Sequence, residues 1–316
     1  MKTNIKKLFQ KALNKESILI ESENIKVQPS IQNSTYKISH LNEFKRESSK
    51  IYIFPINIRE NNPDNYSQYI RGALTHISQI QHIKFEYALE NPKITEGLPN
   101  LQNNRKLLLL DLDETLVHAD FKEEFSNDKY DAIIKFKSKR DEIEIFKDVE
   151  NDSTWCEAGE PEDDLHFVGI FVRNGLKKFL IEVNKYFDVG IFTASVKEYE
   201  DAVISFLDPE NKLIKFRLYR NNCINFNDSF YIKDLRIFKY LDLKNIILVD
   251  NSLYSFAAQI NNGILINSFY NDKNDIELQN VLEYLVNFIL PANDVREVNE
   301  KFFNFRQITN ELIKCK

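Results

Sequence analysis

The chain has 316 residues, of which 43% are hydrophobic and 28% are charged, which is enough for one core of about 200 residues with an extension. Its net charge of −6 provides no positive field for phosphates, so direct binding of nucleic acid is not expected. The cysteines are too few and too scattered for a disulfide framework: Cys156, Cys223 and Cys315. No apolar run is long enough to predict a membrane span.

Residues 1–50 predict a flexible or amphipathic segment. The first fifteen residues, MKTNIKKLFQKALNK, hold five lysines and no acidic residue, a pattern found in membrane-surface helices and in mitochondrial presequences. The absence of Arg there and the scarcity of Ser favour an ordinary amphipathic helix. We therefore expect a nuclear or cytoplasmic location, with a mitochondrial one left open.

Residues 51–100 predict an accessory layer of one strand and one helix. The stretch IYIFPINI has the composition of a strand, and Asp64 after Pro63 is a typical helix start. Five apolar side chains share one face of that helix: Tyr66, Ile70, Ala73, Leu74 and Ile77.

Beyond residue 100, short apolar runs alternate with segments of helical period, which predicts an α/β domain with a parallel sheet and helices on both faces. The predicted strands are KLLLLDL, FDVGIFTAS and NIILVDNS. A helix is predicted from the spacing of Leu176, Phe179, Leu180 and Val183. Ser195 with Glu198 predicts a capping box for the next helix, and further helices are expected from about Lys233 and about Asn274.

The predicted strands end in polar residues. Asp111, Thr193 and Asp250 each follow or close an apolar run, and ligands of such sheets bind outside the carboxyl ends of the strands. Asp111 and Asp113 repel each other unless a cation lies between them, and an oxygen-rich site with few ligands suits Mg²⁺. One carboxylate can attack phosphorus while the other carries a proton.

Four motifs occur in order over about 140 residues: DLDETLVH, FTAS, YIKDL and VDNS. Together they resemble the haloacid-dehalogenase superfamily, and within it the small phosphatases of the RNA polymerase II C-terminal-domain type. The resemblance implies a Rossmann-like fold with a small inserted β-sheet. It also implies a magnesium-dependent phosphoprotein (Ser/Thr) phosphatase with an aspartyl-phosphate intermediate, acting on phosphoserine or phosphothreonine proteins or peptides that resemble the polymerase C-terminal domain.

The resemblance also implies a role for each motif residue. The catalytic set comprises the nucleophile Asp111, the general acid/base Asp113, the phosphoryl ligand Thr193 and the charge-neutralising Lys233. The Mg²⁺ set is Asp111, Asp113, Asp250 and Asn251. The substrate-binding set is Thr115, which also supports the loop, Arg220 near the phosphate, and Phe121 and Val196 in an apolar pocket.

The expected domain covers residues 101–305, with an insert at about 121–172 and a C-terminal tail at 306–316. The insert departs from the family because it contains eight acidic residues against one lysine between Lys147 and Leu165, which would favour basic substrates if this stretch borders the substrate groove. Two other functions stay open. One is a non-catalytic peptide-binding protein that resembles a mitochondrial presequence receptor, and the other is a phosphatase of small metabolites.

Overall fold

The computed structural model describes residues 70, 72–78, 99, 101, 105–121, 129–138, 164–226 and 230–314. Three predictions lie outside these residues: the segment 1–50, the strand IYIFPINI, and the acidic stretch as far as residue 163. The predicted accessory helix is described in part, with residues 72–78 helical. Its predicted apolar face is confirmed at Ile70, Ala73, Leu74 and Ile77, which are buried in the main core.

A five-stranded sheet forms the centre of the fold, with the strand order β10-β9-β1-β5-β6. Every neighbouring pair in it is parallel. Its strands are β1 (Leu107–Leu110), β5 (Asp188–Phe192), β6 (Phe216–Leu218), β9 (Ile246–Asp250) and β10 (Gly263–Leu265). The order reverses direction at β1, which is the place where open parallel sheets bind their ligands.

Burial of consecutive residues shows that both faces of this sheet are covered. All four residues of β1 and all five of β9 are buried, although successive side chains of a strand point to opposite faces. The α-helices are α1 (Leu176–Asn184), α2 (Lys197–Leu207), α3 (Glu277–Tyr284), α4 (Val295–Phe303) and α5 (Phe305–Lys314). The 3-10 segments are Arg220–Asn222, Leu235–Ile237, Leu243–Asn245 and Leu253–Asn262, and a π-helical turn spans Leu285–Ile289.

Two small antiparallel sheets complete the described fold. The predicted inserted sheet is confirmed, with the order β2-β4-β3. Its strands are β2 (Val117–Asp120), β3 (Ala132–Ser138) and β4 (Asp164–Val172). The second is a hairpin of β7 (Ile224–Phe226) and β8 (Phe230–Ile232).

The predicted helix from about Lys233 is wrong. Lys233 directly follows β8, and its backbone N–H donates to the carbonyl of Ser255 at 2.7 Å instead of beginning a helix. Only a 3-10 turn, Leu235–Ile237, follows it. The helix expected from about Asn274 begins at Glu277.

The predicted capping box of Ser195 and Glu198 is also wrong. The N-cap of α2 is Val196, and no side chain caps that helix, because the Ser195 hydroxyl donates to Asp113 instead. The predicted helix face of Leu176, Phe179, Leu180 and Val183 is confirmed, since all four side chains of α1 are buried.

The residues predicted as a C-terminal tail form α5 as far as Lys314. Phe305 and Thr309 of this helix are buried. In the part of the chain that the structure describes, no helix combines the length and the apolar character needed to cross a bilayer.

Candidate active site

Three neighbouring strands of the central sheet bring the predicted catalytic residues together. Asp111 follows β1, Thr193 follows β5, and Asp250 closes β9, and these three strands lie side by side as β9-β1-β5. All three residues are buried, with at most 6% of each exposed. The predicted convergence at the carboxyl edge of the sheet is therefore confirmed.

Lys233 joins two of these strand ends. Its ammonium group donates to Asp111 Oδ1 at 2.6 Å and to Asp250 Oδ2 at 2.6 Å. The side chain is only 1% exposed, so neither contact is screened by bulk water. Because both carboxylates bind the same nitrogen, the structure fixes one positive charge between two negative ones.

The charges at this site shift the pKa values of Lys233 and Asp250. Burial lowers the pKa of Lys233, but the charges of Asp111 and Asp250 outweigh that effect and keep the pKa above its ordinary value. Burial and the Asp111 carboxylate raise the pKa of Asp250, against the opposing charge of Lys233. The two carboxylates therefore stabilise the charged form of Lys233.

The loop after β1 has a tight geometry that fixes Asp111. The carbonyl of Leu112 accepts hydrogen bonds from the N–H groups of Thr115, Leu116 and Val117. Glu114 adopts a positive φ of 54° to make this turn, a conformation that costs a residue other than glycine about 1 kcal/mol or more.

Thr115 connects this loop to the end of β9. Its hydroxyl donates to Asp111 Oδ2 at 2.8 Å and lies 3.4 Å from Asn251 Oδ1. Thr115 has no exposed surface, and its hydroxyl contacts support the loop, while its predicted contact with substrate stays a prediction.

Asp113 lies beside two hydroxyl groups that the sequence analysis did not assign to the site. Ser195 Oγ donates to its Oδ2 at 2.5 Å, and Tyr199 Oη donates to its Oδ1 at 2.6 Å. Burial raises the pKa of Asp113 to about 6, although both hydrogen bonds act to lower it. A carboxyl group with this pKa can both give and take a proton near neutral pH.

Thr193 and Arg220 belong to the segments next to Asp113. The Thr193 hydroxyl accepts the N–H of Ser195 at 3.0 Å, which leaves its own hydrogen for a ligand oxygen. Arg220 Nε donates to the carbonyl of Ala194 at 2.8 Å, and its guanidinium lies over the ring of Tyr231. Arg220 is therefore at the edge of the site, where its predicted contact with a phosphate stays a prediction.

The predicted apolar residues lie beside Tyr199. Phe121 is 65% exposed, and the centre of its ring is 6.0 Å from that of Tyr199. Phe136 of β3 packs against the same ring at 5.6 Å. Val196 is partly buried against the core. The inserted sheet thus adds aromatic surface near Asp113, and substrate binding by Phe121 and Val196 stays a prediction.

The donor chemistry of the site fits Mg²⁺. Asp111 and Asp250 supply carboxylates and Asn251 supplies an amide oxygen, and Mg²⁺ is commonly held by one or two carboxylates with waters completing its shell. Among the described residues, no three His, Cys, Asp or Glu side chains form a metal-binding group. Asp111, Asp113 and Asp250 each accept two hydrogen bonds through their carboxylates, and the roles of all three as ligands stay predictions.

Arg173 is a structural residue that the sequence analysis missed. It is 1% exposed, and it donates to the carbonyls of Thr115 at 2.9 Å and Asn267 at 2.7 Å. It also forms a two-pronged pair with Asp275, at 2.8 and 2.7 Å. Arg173 therefore ties the end of the inserted sheet to the loop that carries Asp111. An arginine directly after an apolar strand was the available signal.

Comparisons with known proteins show which family this chain resembles. The family of NLI interacting factor-like phosphatases matches residues 106–296. CTD small phosphatase-like protein 2 of Dictyostelium discoideum is 39% identical over 43% of this chain and 24% of that protein. CTD nuclear envelope phosphatase 1B of Danio rerio is 30% identical over 72% of this chain and 84% of that protein.

One solved structure with partial similarity is that of Fcp1, an essential RNA polymerase II CTD phosphatase. It has a TM-score of 0.39 and 18% identity, over 67% of this chain and 62% of that one. Three curated relatives are matched over only 24%, 55% and 60% of their own length. The match to the family covers more than half of the chain and contains every predicted catalytic residue, and the chain therefore belongs to the NLI interacting factor-like phosphatase family.

Proposed function

We propose that this protein is a magnesium-dependent phosphoprotein phosphatase that removes phosphate from serine or threonine through an aspartyl-phosphate intermediate. The observation that carries the proposal is the shared contact of Lys233 with Asp111 and Asp250, at 2.6 Å each. Burying a cation between two strand-end carboxylates carries a large desolvation cost. Such a cation would be useful in phosphoryl transfer, because negative charge concentrates on the phosphoryl oxygens during that reaction.

The proposed reaction begins at Asp111. One of its carboxylate oxygens attacks phosphorus while the bond from phosphorus to the substrate oxygen breaks, and Asp113 gives its proton to that leaving oxygen. Asp113 is then a carboxylate, and it takes a proton from the water that attacks the aspartyl-phosphate. The products are the dephosphorylated serine or threonine and inorganic phosphate, water is the only other reactant, and Asp111 and protonated Asp113 are regenerated.

The neighbouring groups stabilise charge during both steps. The Thr193 hydroxyl donates to a phosphoryl oxygen, and Lys233 offsets the added negative charge beside Asp111. Bound Mg²⁺ would supply a further positive charge at the phosphoryl oxygens, held by Asp111, Asp250 and Asn251. The hydrogen bond from Thr115 to Asp111 at 2.8 Å keeps the nucleophile in one orientation.

The proposed substrate is a phosphoserine or phosphothreonine peptide. Phe121 is an exposed aromatic side chain beside Tyr199, and such a surface suits an extended peptide better than a small polar metabolite. Several relatives are named as CTD phosphatases, which supports a peptide of the polymerase C-terminal-domain kind. Relatives named for the nuclear envelope support a nuclear or cytoplasmic location.

Phosphate release tests the proposal directly. The wild type should hydrolyse para-nitrophenyl phosphate and a phosphoserine peptide with Mg²⁺ and lose this activity with a chelator, while Asp111→Asn should be inactive. Asp242→Asn is a matched control, because Asp242 is an exposed aspartate that pairs with Lys244. A wild type that binds the peptide without releasing phosphate would instead indicate a peptide-binding protein.

A further inference from the structure

Asp113 is held from both sides by one short segment of the chain. Tyr199 donates to Oδ1 at 2.6 Å and Ser195 donates to Oδ2 at 2.5 Å. Both residues follow β5 directly, in the turn and first residues of α2. The backbone of Asp113 is also fixed, by a β-bridge to Val117. The torsions of the Asp113 side chain are therefore set by two donors that share one rigid element.

The two donors are themselves well anchored. The carbonyl of Ser195 accepts the N–H of Arg220 at 3.0 Å, and its N–H donates to Thr193. Tyr199 is 3% exposed, and its ring packs between Phe121 and Phe136. A donor with few alternative conformations holds its acceptor more firmly than a mobile one, because less entropy is lost when the hydrogen bond forms.

We propose that Ser195 and Tyr199 are positioning residues that hold the Asp113 carboxyl group in line with the leaving oxygen of the substrate. The proposal rests on the function proposed above, in which Asp113 gives a proton to that oxygen. Neither residue is expected to touch the transferred phosphate. Their effect should therefore depend on how much the leaving group needs a proton.

Two substrates whose leaving groups differ in their need for a proton test this dependence. A serine alkoxide is a poor leaving group and needs protonation, whereas para-nitrophenolate is stable as the anion and needs little. The value of kcat/KM covers the steps up to formation of the phosphoenzyme, where the proton is given. We expect Tyr199→Phe to lower kcat/KM by about 10-fold for a phosphoserine peptide, and by no more than about 2-fold for para-nitrophenyl phosphate.

Tyr199→Phe removes only the hydroxyl and keeps the ring between its aromatic neighbours. Tyr284→Phe is the matched control, because Tyr284 is also 3% exposed and its hydroxyl donates to Asn299 at 2.8 Å, outside the site. Ser195→Ala should repeat the selective loss, and Ser195→Thr should recover activity because it keeps the hydroxyl. Equal losses for both substrates in Tyr199→Phe would overturn the proposal.

A double-mutant cycle tests whether the two hydroxyls act through Asp113. In an Asp113→Asn background, Tyr199→Phe should have no further effect on kcat/KM for the peptide, because the group that it positions is already gone. Additive losses would contradict the positioning role. A wild type that hydrolyses neither substrate would refute the proposed function and this role together, whereas an active wild type with unselective variants refutes only this role.

Discussion

Lys233 and Asp111 are 122 residues apart in the chain, and the ammonium nitrogen of Lys233 lies 2.6 Å from Asp111 Oδ1. The same nitrogen lies 2.6 Å from Asp250 Oδ2. The hairpin that precedes Lys233 and the strand end that carries Asp111 are thereby joined through charge as well as packing. The contacts of Lys233 therefore contribute both to the candidate active site and to the stability of the fold.

Lys233→Met is expected to destabilise the protein and to lower turnover. It leaves two buried carboxylates without their cation, and removal of one partner of a buried pair typically costs about 3–5 kcal/mol. Urea unfolding in a chelator measures this change in the free energy of unfolding.

Lys244→Met is the control for that variant, because Lys244 pairs with Asp242 at 3.2 Å while both side chains are about half exposed. Such surface pairs contribute at most about 1 kcal/mol. Equal losses of stability in the two variants would contradict the role given to Lys233.

Arg173→Met is expected to cost about 3–5 kcal/mol as well, since it leaves the Asp275 carboxylate without its cation and two buried carbonyls without the donor that Arg173 supplies. The Arg296–Asp294 pair has a similar two-pronged geometry, but its side chains are 39% and 21% exposed. Arg296→Met should therefore lose much less stability in the same unfolding experiment. A loss as large as that of Arg173→Met would show that burial is not the decisive difference.

Glu200 gives the protein a dependence of stability on pH. Burial raises the pKa of this carboxyl group from 4.5 to about 8, with Arg217 opposing part of the shift. Between these two pKa values the folded state binds more protons than the unfolded state. The free energy of unfolding therefore falls as pH rises, and Glu200 contributes at most about 1.4 kcal/mol per pH unit to this fall.

Glu200→Gln should remove this part of the pH dependence. Relative to the wild type, the variant should therefore become more stable as the pH approaches about 8. Urea unfolding at about pH 5 and about pH 8 compares the variant with the wild type. Glu210→Gln is the control, because Glu210 is an exposed residue paired with Lys212. An unchanged difference between the two pH values in Glu200→Gln would refute the prediction.

The stability of the folded protein should rise with Mg²⁺ if Asp111, Asp250 and Asn251 hold it. Binding to the folded state alone stabilises the protein by about 2.7 kcal/mol at a hundred times the dissociation constant. Thermal unfolding with and without Mg²⁺ measures this effect independently of activity. Asn251→Ala should respond less than the wild type, and an equal response would remove Asn251 from the proposed site.

The parallel sheet and its catalytic edge could be predicted because their signals are local in the sequence. Each strand is an unbroken apolar run, and Asp111, Thr193 and Asp250 mark the ends of three of them. The pairing of parallel strands then follows from their burial. The four motifs predict the candidate catalytic set for the same reason, since each motif is a short stretch around one strand end or turn.

The wrong or missing predictions concern residues whose conformation depends on contacts between distant parts of the sequence. Ser195 followed by Glu198 has the spacing of a capping box, but the hydroxyl is used by Asp113, 82 residues away. The sequence predicts a helix start at Lys233, yet β8 pairs with β7 as far as Ile232, and the N–H of Lys233 then donates to the carbonyl of Ser255. Arg173 directly after an apolar strand is a local signal, but its partner Asp275 lies 102 residues away and cannot be identified from the local sequence.

The covalent intermediate is the most direct test of the central claim that Asp111 is a nucleophile. Asp113→Asn should be mixed with para-nitrophenyl phosphate and Mg²⁺, quenched in acid, and analysed by mass spectrometry of the intact protein and its peptides. This leaving group needs little protonation, while the loss of the base slows hydrolysis of the intermediate, so one phosphoryl group should accumulate on Asp111. A variant that also carries Asp111→Asn should show none. Phosphate on another residue, or none in either variant, would contradict the account.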